Sequence, residues 1–538
     1  MRGADLLARA LSRAGVRHVF SLSGNHVMSV YDAALDAGLG ILHVRHEAAA
    51  VHMADAWGRL TGEPGVALVT GGPGHANAVS ALYTALASES PMLLLSGHAP
   101  LAELGKGSFQ EMRQADMAAP VVKGAFTARS AAGLGADLAR AWRLAKSGRP
   151  GPVHLSLPSD VLESKTDERS LPPPEAFSAR PTPLGEAAAQ AVVAELARAE
   201  RPLILAGPAL TADGARDARI GLEQACGLPV VCMESPRGMN DPALGAFPRV
   251  LARADLVLLL GKRLDFTLRF GQPPALAQGC RFLILDPDPE ALRAAGYALG
   301  DPARIGLAVL ADPFDAAAQL ARAARPVRAE WGAEVRTALA HRPAGWGSLA
   351  STTEGALHPA EVGRAVQGQI DRADEAVLVA DGGEFGQWAQ ACVSAPTRLI
   401  NGPAGAIGSA LPFAIAAKLA RPRATVIAML GDGTFGFHMA EYDTAVRARL
   451  PFVGVVGNDQ CWNAEHQIQL RSYGPERAHG CELLPTRYDQ VAAALGGHGE
   501  QVTRATELEP ALERAAASGQ PACVNVMIER RAAPAVHA

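Results

Sequence analysis

Two apolar, strand-like runs near the C-terminal end of the chain each stop at a short polar turn. One run leads into Gly431-Asp432-Gly433-Thr434 and the other into Gly457-Asn458-Asp459. Asp432 and Asp459 lie 27 positions apart, which leaves room for a strand–helix–strand unit between them. In open parallel α/β sheets, ligands bind beyond the carboxyl ends of the strands. The spacing therefore predicts a parallel sheet with both turns at one binding edge.

The residues in these turns favour a metal ion bound to a phosphate. Mg²⁺ prefers oxygen ligands, and phosphate oxygens usually complete its coordination shell. Asp432 and Asp459 supply carboxylates. Gly431 and Gly433 allow the backbone to approach a phosphate closely. A single Gly-Asp-Gly sequence is also common in surface turns. The presence of the second polar turn, 27 residues further along the chain, favours a metal site over a surface turn.

Glu47, near the N-terminus, is a second candidate for chemistry. It follows a strand-like run and begins a predicted helix, but the next three residues are alanines, which is unusual for a solvated helix start. A carboxylic acid in an apolar pocket can hold a proton and transfer it to a neighbouring group. The alternative is a carboxylate that only complements the dipole at a helix N-terminus.

Together these segments resemble thiamine-diphosphate-dependent enzymes of the acetolactate synthase-like group, which includes 2-hydroxyacyl-CoA lyases. The resemblance covers nearly the whole chain. It implies that Mg²⁺ is held on the cofactor diphosphate by Asp432, Asp459 and the backbone carbonyl of Cys461. The family usually has asparagine at the second of these positions. Asp459 adds a negative charge, so metal binding could be tighter or differ in selectivity.

The same resemblance implies roles for residues around the cofactor. Glu47 would be the activating glutamate that hydrogen-bonds the aminopyrimidine ring, and Phe109 and Gln110 would line the substrate side as further catalytic candidates. Ile407 would wedge between the two cofactor rings, with plain core packing as the alternative. The other implied cofactor contacts are Gly72, Pro73, Gly74, Glu384, Gly431, Gly433, Thr434, Asn458 and Trp462.

Three further polar residues have two interpretations each. Lys123 is placed like a family site residue, but it could equally be a solvated charge. His26 and His75 could act as acid–base groups, although histidines near turns are more often structural.

The chain of 538 residues is too long for one hydrophobic core. Strand-like and helix-like segments alternate throughout, which predicts α/β domains, each with a doubly wound parallel sheet. Two polar, proline-containing linkers separate three predicted domains. These are a pyrimidine-binding domain (1–165), a central domain (185–340) and a diphosphate- and Mg²⁺-binding domain (356–530). The tail from Arg530 onward is expected to be loose.

Composition excludes several classes of protein. The net charge is −4 and there is no basic stripe, which argues against nucleic-acid binding. The seven cysteines form no Cys-x-x-Cys pair, which favours a reducing compartment without disulfides. No apolar run approaches the roughly 20 residues that span a membrane. We therefore expect a cytoplasmic protein without a membrane partner.

The resemblance leaves the ligand of the central domain open. FAD, ADP, coenzyme A or no ligand are all compatible with it. Arg263 and Arg269 are candidates for phosphate contacts, and Asp286 after a strand could bind a ribose hydroxyl. The alternative is a structural domain with solvated arginines.

Three functions remain in consideration. The first is a decarboxylating carboligase acting on a 2-oxoacid, and the second is a lyase or decarboxylase acting on a 2-hydroxyacyl-CoA or an oxalyl-CoA-type substrate. The third is a non-catalytic regulatory homologue, which the presence of Glu47, Asp432 and Gly72–Gly74 argues against. The resemblance also implies a homodimer or homotetramer with active sites between subunits. The sequence does not specify the substrate.

Overall fold

Three parallel β-sheets with flanking helices form the computed structural model, which describes residues 1–536. This architecture confirms the predicted fold class of three doubly wound α/β domains. By its internal contacts the chain divides into two compact units. The first consists of Met1–Met239, Phe247–Ala338 and Gly402–Ala404, and contains the first two sheets. The second consists of Asn240–Ala246, Leu339–Asn401 and the residues from Gly405 on, and contains the third sheet.

The first sheet has the strand order β2-β1-β3-β4-β6-β5. The order reverses between β1 and β3, so a crevice opens at the carboxyl ends of these two strands. Its strands are β1 (His18–Ser21), β2 (Gly40–His43), β3 (Gly65–Val69), β4 (Met92–His98), β5 (Ala125–Thr127) and β6 (Pro152–Pro158).

The second sheet has the order β11-β10-β9-β7-β8, with its reversal between β7 and β9. Its strands are β7 (Pro202–Ala206), β8 (Val230–Cys232), β9 (Leu256–Leu260), β10 (Arg281–Asp286) and β11 (Ile305–Leu310).

The third sheet has the order β13-β12-β14-β15-β17-β16, with its reversal between β12 and β14. Gly431 at the end of β14 lies beside Gly457 on β15, so the two polar turns found in the sequence are neighbours. The strands are β12 (Ala376–Asp381), β13 (Thr397–Ile400), β14 (Thr425–Gly431), β15 (Val453–Asn458), β16 (His498–Val502) and β17 (Ala522–Met527).

Helices connect the strands and cover the sheets. The connection between β14 and β15 holds two short helices, where the sequence had suggested a single strand–helix–strand unit. The α-helices are α1 (Gly3–Arg13), α2 (Met28–Ala37), α3 (Glu47–Thr61), α4 (Pro73–Ala87), α5 (Gln114–Ala118), α6 (Leu134–Lys146), α7 (Ser159–Glu163), α8 (Glu186–Arg198), α9 (Asp213–Cys226), α10 (Phe247–Leu251), α11 (Pro289–Leu299), α12 (Pro313–Ala323), α13 (Ala329–Ala340), α14 (Pro359–Asp371), α15 (Glu384–Cys392), α16 (Ala410–Ala420), α17 (Asp432–His438), α18 (Glu441–Ala448), α19 (Asn463–Tyr473), α20 (Tyr488–Ala494) and α21 (Ala505–Ala517).

The central strands are apolar because helices cover both faces of each sheet. Every residue of β4 and β12 is buried. In the third sheet, the core is built from inward-facing side chains such as Leu378, Ile427, Met429 and Val455. Such strands hold the polar turns at their ends in fixed positions. Among the described residues, none of the helices is both long and apolar enough to cross a membrane.

The tail differs from the sequence expectation. The side-chain amide of Asn463 donates a hydrogen bond to the carbonyl of Arg531 at 3.0 Å, and the indole N–H of Trp388 donates to the carbonyl of Ala532 at 2.9 Å. The expectation of a loose tail is therefore wrong for its first residues, because their backbone groups find partners in the third domain. The last two residues of the chain lie outside the described part.

Candidate active site

A cavity of about 60 Å³ lies at the carboxyl edge of the third sheet. It is bordered by the turns after β12, β14 and β15, next to the point where the strand order reverses. Most of the residues predicted for the diphosphate and the metal come together here. They are Glu384, Ile407, Gly431, Asp432, Gly433, Thr434, Asp459, Cys461 and Trp462.

Asp432 is the first residue of α17 and is almost fully buried. Its Oδ1 accepts a hydrogen bond from the backbone N–H of Gly433 at 2.9 Å. Its Oδ2 is also buried and has no hydrogen-bond partner among the described residues. Burial raises the pKa of Asp432 to about 6. A buried carboxylate oxygen without a partner is costly, and a cation in the cavity would satisfy it.

Asp459 brings a second buried carboxylate to the same cavity. Burial, followed by the nearby charge of Asp432, raises the pKa of Asp459 to about 8. A divalent cation between two such groups would favour their ionised forms. Within the described part of the chain, no cluster of three or more histidine, cysteine or acidic side chains suits a metal. Backbone and phosphate oxygens would therefore have to complete the shell, and this oxygen-rich donor set fits Mg²⁺.

Gly433 is needed for packing as well as for backbone approach. A Cβ atom at this position would lie 2.7 Å from the indole ring of Trp462. The edge of that ring meets Phe437, with the ring centroids 6.3 Å apart. The indole therefore rests directly on the Gly-Asp-Gly turn.

Asn458 does not contribute its side chain to the cavity. Its amide nitrogen donates to the carbonyl of Thr486 at 3.0 Å and to the side-chain oxygen of Asn525 at 3.1 Å. The side chain is fully buried in these contacts. The predicted cofactor contact of Asn458 does not fit this geometry, and Asp459 is the residue that lines the cavity.

Asp381, at the end of β12, supports the cavity wall and was not predicted as a site residue. Its Oδ2 accepts hydrogen bonds from the backbone N–H groups of Gly408 and Ala410 at 2.9 and 3.0 Å. These bonds fix the turn that carries Ile407. The signal in the sequence was an acid directly after a buried strand.

Glu47 lies in the first unit, where it begins α3 directly after the turn that follows β2. Its carboxyl group is largely buried, and Oε2 accepts a hydrogen bond from the side-chain amide of Asn77 at 3.0 Å. A Cβ atom at Gly74 would lie 3.3 Å from Glu47 Oε1 and 2.7 Å from Thr70. Glu47 is thus held at the crevice by α4. Asn77 was missed as a positioning residue because nothing in the sequence ties it to Glu47.

Gly72 and Gln110 pack against each other near the turn that follows β3. Gly72 has a φ of +59°, and its N–H donates to the side-chain oxygen of Gln114 at 2.9 Å. A Cβ atom at Gly72 would lie 2.7 Å from that of Gln110. Gln110 has a φ of +56°, and its neighbour Phe109 is 67% exposed. The structure therefore gathers Glu47, Gly72, Pro73, Gly74 and Gln110 in one region and leaves the ring of Phe109 accessible.

Comparisons with known proteins agree with this geometry. Residues 1–117 match the family described as "Thiamine pyrophosphate enzyme, N-terminal TPP binding domain", residues 189–304 match its central domain, and residues 381–526 match its C-terminal TPP binding domain. The chain belongs to the thiamine pyrophosphate enzyme family.

Several relatives are similar over nearly the full length. A "Probable acetolactate synthase" of Mycobacterium bovis and the "Acetolactate synthase large subunit IlvG" of Mycobacterium tuberculosis are each 35% identical over 547 residues, covering 98% of this chain and 96% of the relative. The "2-hydroxyacyl-CoA lyase 2" of Homo sapiens is 31% identical over 579 residues, covering 98% of this chain and 90% of the relative. Membership of the family is thus supported along all three domains.

Lys123 does not reach the site of this family member. Its ammonium group donates to the backbone carbonyls of Leu144 and Ser147 at the end of α6. Burial, followed by the nearby positive charge of Arg149, lowers the pKa of Lys123 to about 8. Lys123 therefore caps the C-terminal end of α6. The sequence analysis considered a site contact or a solvated charge, and the observed environment matches neither.

Two of the nucleotide candidates of the central domain differ in their surroundings. Asp286, at the end of β10, is bound by the guanidinium of Arg149, which also contacts Glu89 and the carbonyl of Gly261. The side chain of Arg263 is 52% exposed. The carboxylate considered for a ribose contact is thus already paired with an arginine of the first domain, which favours the alternative of a structural domain.

His26 and His75 differ in their surroundings. Nδ1 of His26 lies 3.1 Å from the hydroxyl of Thr70. His75 is completely buried, with Nδ1 at 2.9 Å from the hydroxyl of Ser96 and its ring centroid 4.5 Å from that of His154. Burial lowers the pKa of His75 to about 4. His75 is therefore neutral at pH 7 and packs, from the first turn of α4, against Ser96 and His154.

This environment predicts acid destabilisation. An unfolded histidine binds a proton near pH 6.5, whereas folded His75 does so only near pH 4. The unfolded state therefore binds more protons between these values, and stability is lost as the pH falls from 6.5 to 4, by about 3 kcal/mol for this group. Urea unfolding at pH 7 and pH 5 should show a smaller loss in His75→Gln than in the natural protein. His479→Gln, at an exposed position, is the control, and an equal loss in both variants would contradict the assignment.

Proposed function

We propose that this protein is a thiamine-diphosphate- and Mg²⁺-dependent enzyme that decarboxylates a 2-oxoacid and joins the product to a second carbonyl compound, as acetolactate synthase-like carboligases do. The observation that carries the proposal is the buried, unpartnered Oδ2 of Asp432 beside the carboxylate of Asp459. This pair lines a cavity at the edge of the C-terminal TPP binding domain.

Each part of the chain has a role in this proposal. Thiamine diphosphate, when bound, supplies a nucleophilic carbon and an electron sink for making and breaking carbon–carbon bonds. Asp432, Asp459 and the carbonyl of Cys461 would hold Mg²⁺ on the diphosphate. Glu47, oriented by Asn77, would hold and transfer a proton at the aminopyrimidine ring.

The remaining predicted residues would shape the pocket around the cofactor and the substrate. The glycines of both turns and Thr434 would admit the phosphates. Side chains that would surround the rings and the substrate are Glu384, Ile407, Trp462, Phe109 and Gln110.

We further propose that two copies of the chain form each active site. Glu47 belongs to the first compact unit and Asp432 to the second. The family resemblance favours pairing the Glu47 side of one subunit with the Asp432 side of another, in a homodimer or homotetramer. A cytoplasmic location also remains a proposal, supported by the seven cysteines, which all lie in the described part of the chain and form no disulfide there.

A second candidate function is a lyase that cleaves a 2-hydroxyacyl-CoA. It is favoured by the relatives named 2-hydroxyacyl-CoA lyase 2, which match 98% of this chain at 30–31% identity. The deciding experiment supplies thiamine diphosphate and Mg²⁺ with either pyruvate or a 2-hydroxyacyl-CoA. Release of CO₂ from pyruvate would support the carboligase, and formyl-CoA would support the lyase. Cofactor binding without turnover of either substrate would favour a non-catalytic homologue.

Replacement of Glu47 tests the proton-transfer role. Glu47→Gln is expected to keep the fold and to bind the cofactor, because the amide is isosteric and can still pair with Asn77. Turnover should fall by roughly 10²–10⁴-fold, the usual contribution of a positioned acid–base group. The measurement is kcat with saturating cofactor, compared with Glu63→Gln at an exposed ion pair with Lys146. Near-normal turnover of Glu47→Gln would reject this role.

Replacement of the two aspartates tests the metal site. Asp432→Ala should abolish Mg²⁺-dependent binding of thiamine diphosphate, because it removes the oxygen that has no other partner. Asp459→Asn should preserve binding but require more Mg²⁺, because an amide oxygen is a weaker ligand for a hard cation than a carboxylate. Calorimetric titrations over a series of Mg²⁺ concentrations measure both effects. Unchanged affinity in Asp432→Ala would rule out the metal assignment.

We also infer that catalysis does not depend on a nucleotide in the central domain. Arg149 is ion-paired with Asp286 at the end of β10 and with Glu89, and it also donates to the carbonyl of Gly261 after β9, one of the two strands at which the sheet order reverses. The purified protein should therefore release no flavin on denaturation, and added FAD or ADP should leave its melting temperature unchanged. A stoichiometric flavin spectrum, or a rise in melting temperature with either compound, would contradict this inference.

A further inference from the structure

After β17 the chain continues into a short segment, Ile528–Ala532, here called the C-terminal strap. The N–H of Ile528 donates to the carbonyl of Asn458 at 3.0 Å. Glu529, in the middle, accepts a hydrogen bond from the hydroxyl of Ser351 at 2.8 Å. The carbonyl of Ala532 accepts the indole N–H of Trp388 at 2.9 Å. The strap is therefore fixed at several points within the second unit.

Arg530 extends from the strap to the loop that follows β15. Its Nε donates to the backbone carbonyl of Asp459 at 2.9 Å, and its Nη2 donates to the backbone carbonyl of Gln460 at 3.0 Å. Its Nη1 donates to the carboxylate of Glu482 at 3.0 Å. The planar fork of five N–H donors allows one guanidinium to hold two consecutive carbonyls and a carboxylate.

The loop held in this way has an unfavourable backbone conformation. Gln460 has a φ of +58°, in the left-handed region that glycine adopts easily and other residues rarely do. Such a conformation persists only where the surrounding structure enforces it. The two carbonyls bound by Arg530 are those of Gln460 and of the residue before it. The next residue is Cys461, whose carbonyl is the third proposed metal ligand.

We propose that Arg530 is a positioning residue for the metal site. By holding the carbonyls of Asp459 and Gln460, it maintains the left-handed turn that presents the Asp459 carboxylate and the Cys461 carbonyl together. It also places a positive charge near the carboxylate of Asp459. The family that this chain resembles usually has asparagine at that position. The inference rests on the proposed function, because these groups are ligands only if the chain binds Mg²⁺ with its cofactor.

A surface ion pair between Arg530 and Glu482 is the simpler account. The side chain of Glu482 is 75% exposed, and pairs of that kind contribute little. The two accounts differ in what Glu482→Gln should do. It should leave metal binding nearly unchanged if the carbonyl contacts are the important ones.

The test measures the dissociation constant of thiamine diphosphate with Mg²⁺ by calorimetry on the full-length protein. Arg530→Gln is expected to weaken binding by roughly 10–100-fold, as is typical when a partner that orients metal ligands is removed. The matched control is Arg514→Gln, which breaks an exposed ion pair with Glu500 in the same unit and should leave the constant unchanged. Because binding is measured directly, the readout does not depend on turnover.

A rescue variant separates positioning from general stabilisation. In the Arg530→Gln background, Gln460→Gly should restore most of the affinity, because glycine adopts a φ near +58° without steric cost. If Arg530→Gln does not fold, Arg530→Lys carries the test. Its compact ammonium lacks the planar fork, so an intermediate loss of affinity is expected, again reversed by Gln460→Gly.

The outcomes distinguish this inference from the function on which it rests. Equal dissociation constants for the natural protein and Arg530→Gln would overturn the positioning role while leaving the proposed function intact. Weaker binding that Gln460→Gly does not restore would also overturn it. Failure of the natural protein to bind thiamine diphosphate with Mg²⁺ would overturn both.

Discussion

The parallel pairing of β14 with β15 is the constraint on which the rest of the candidate site depends. It sets Gly431 beside Gly457 and so brings together two turns that are distant in the chain. Each strand is buried and largely apolar up to its end. The packed strands therefore fix the positions of the polar groups that follow them. Two carboxylates are thereby confined in a small cavity, where their mutual repulsion and loss of water favour a cation between them.

Much of this arrangement could be predicted from the sequence because it depends on local pattern. Strand-like apolar runs that alternate with helix-like segments predict a parallel sheet. Turns at the carboxyl ends of neighbouring strands in such a sheet meet at one edge. The cavity residues Asp432 and Asp459 follow from that reasoning, whereas Trp462 follows from the family resemblance. Asn458 is the last strand residue, and its side chain turns towards Asn525 on β17 instead of the cavity. Which of two adjacent polar residues faces a cavity depends on where the strand ends.

The supporting residues could not be predicted, because their partners are distant in sequence. Asn77 meets Glu47 only after α4 packs beside α3, and Gln114 reaches Gly72 from another loop. Arg530 was assigned to a loose tail, yet its guanidinium binds a loop 70 residues earlier in the chain. Such contacts are products of the tertiary fold. They leave no periodicity or motif in the sequence, so composition and spacing contain no trace of them.

The packing of Trp462 on Gly433 has a consequence for how this site can change. The indole fills the space that a side chain at position 433 would need, with only 2.7 Å between the ring and a Cβ atom there. The two positions are therefore coupled: a larger residue at 433 requires a smaller one at 462. Any redesign that replaces the indole by a smaller side chain would release this restriction and also remove the ring that packs on the turn at Gly433. Under the proposed function, variants selected for a wider pocket at Trp462 should therefore also be examined for cofactor retention.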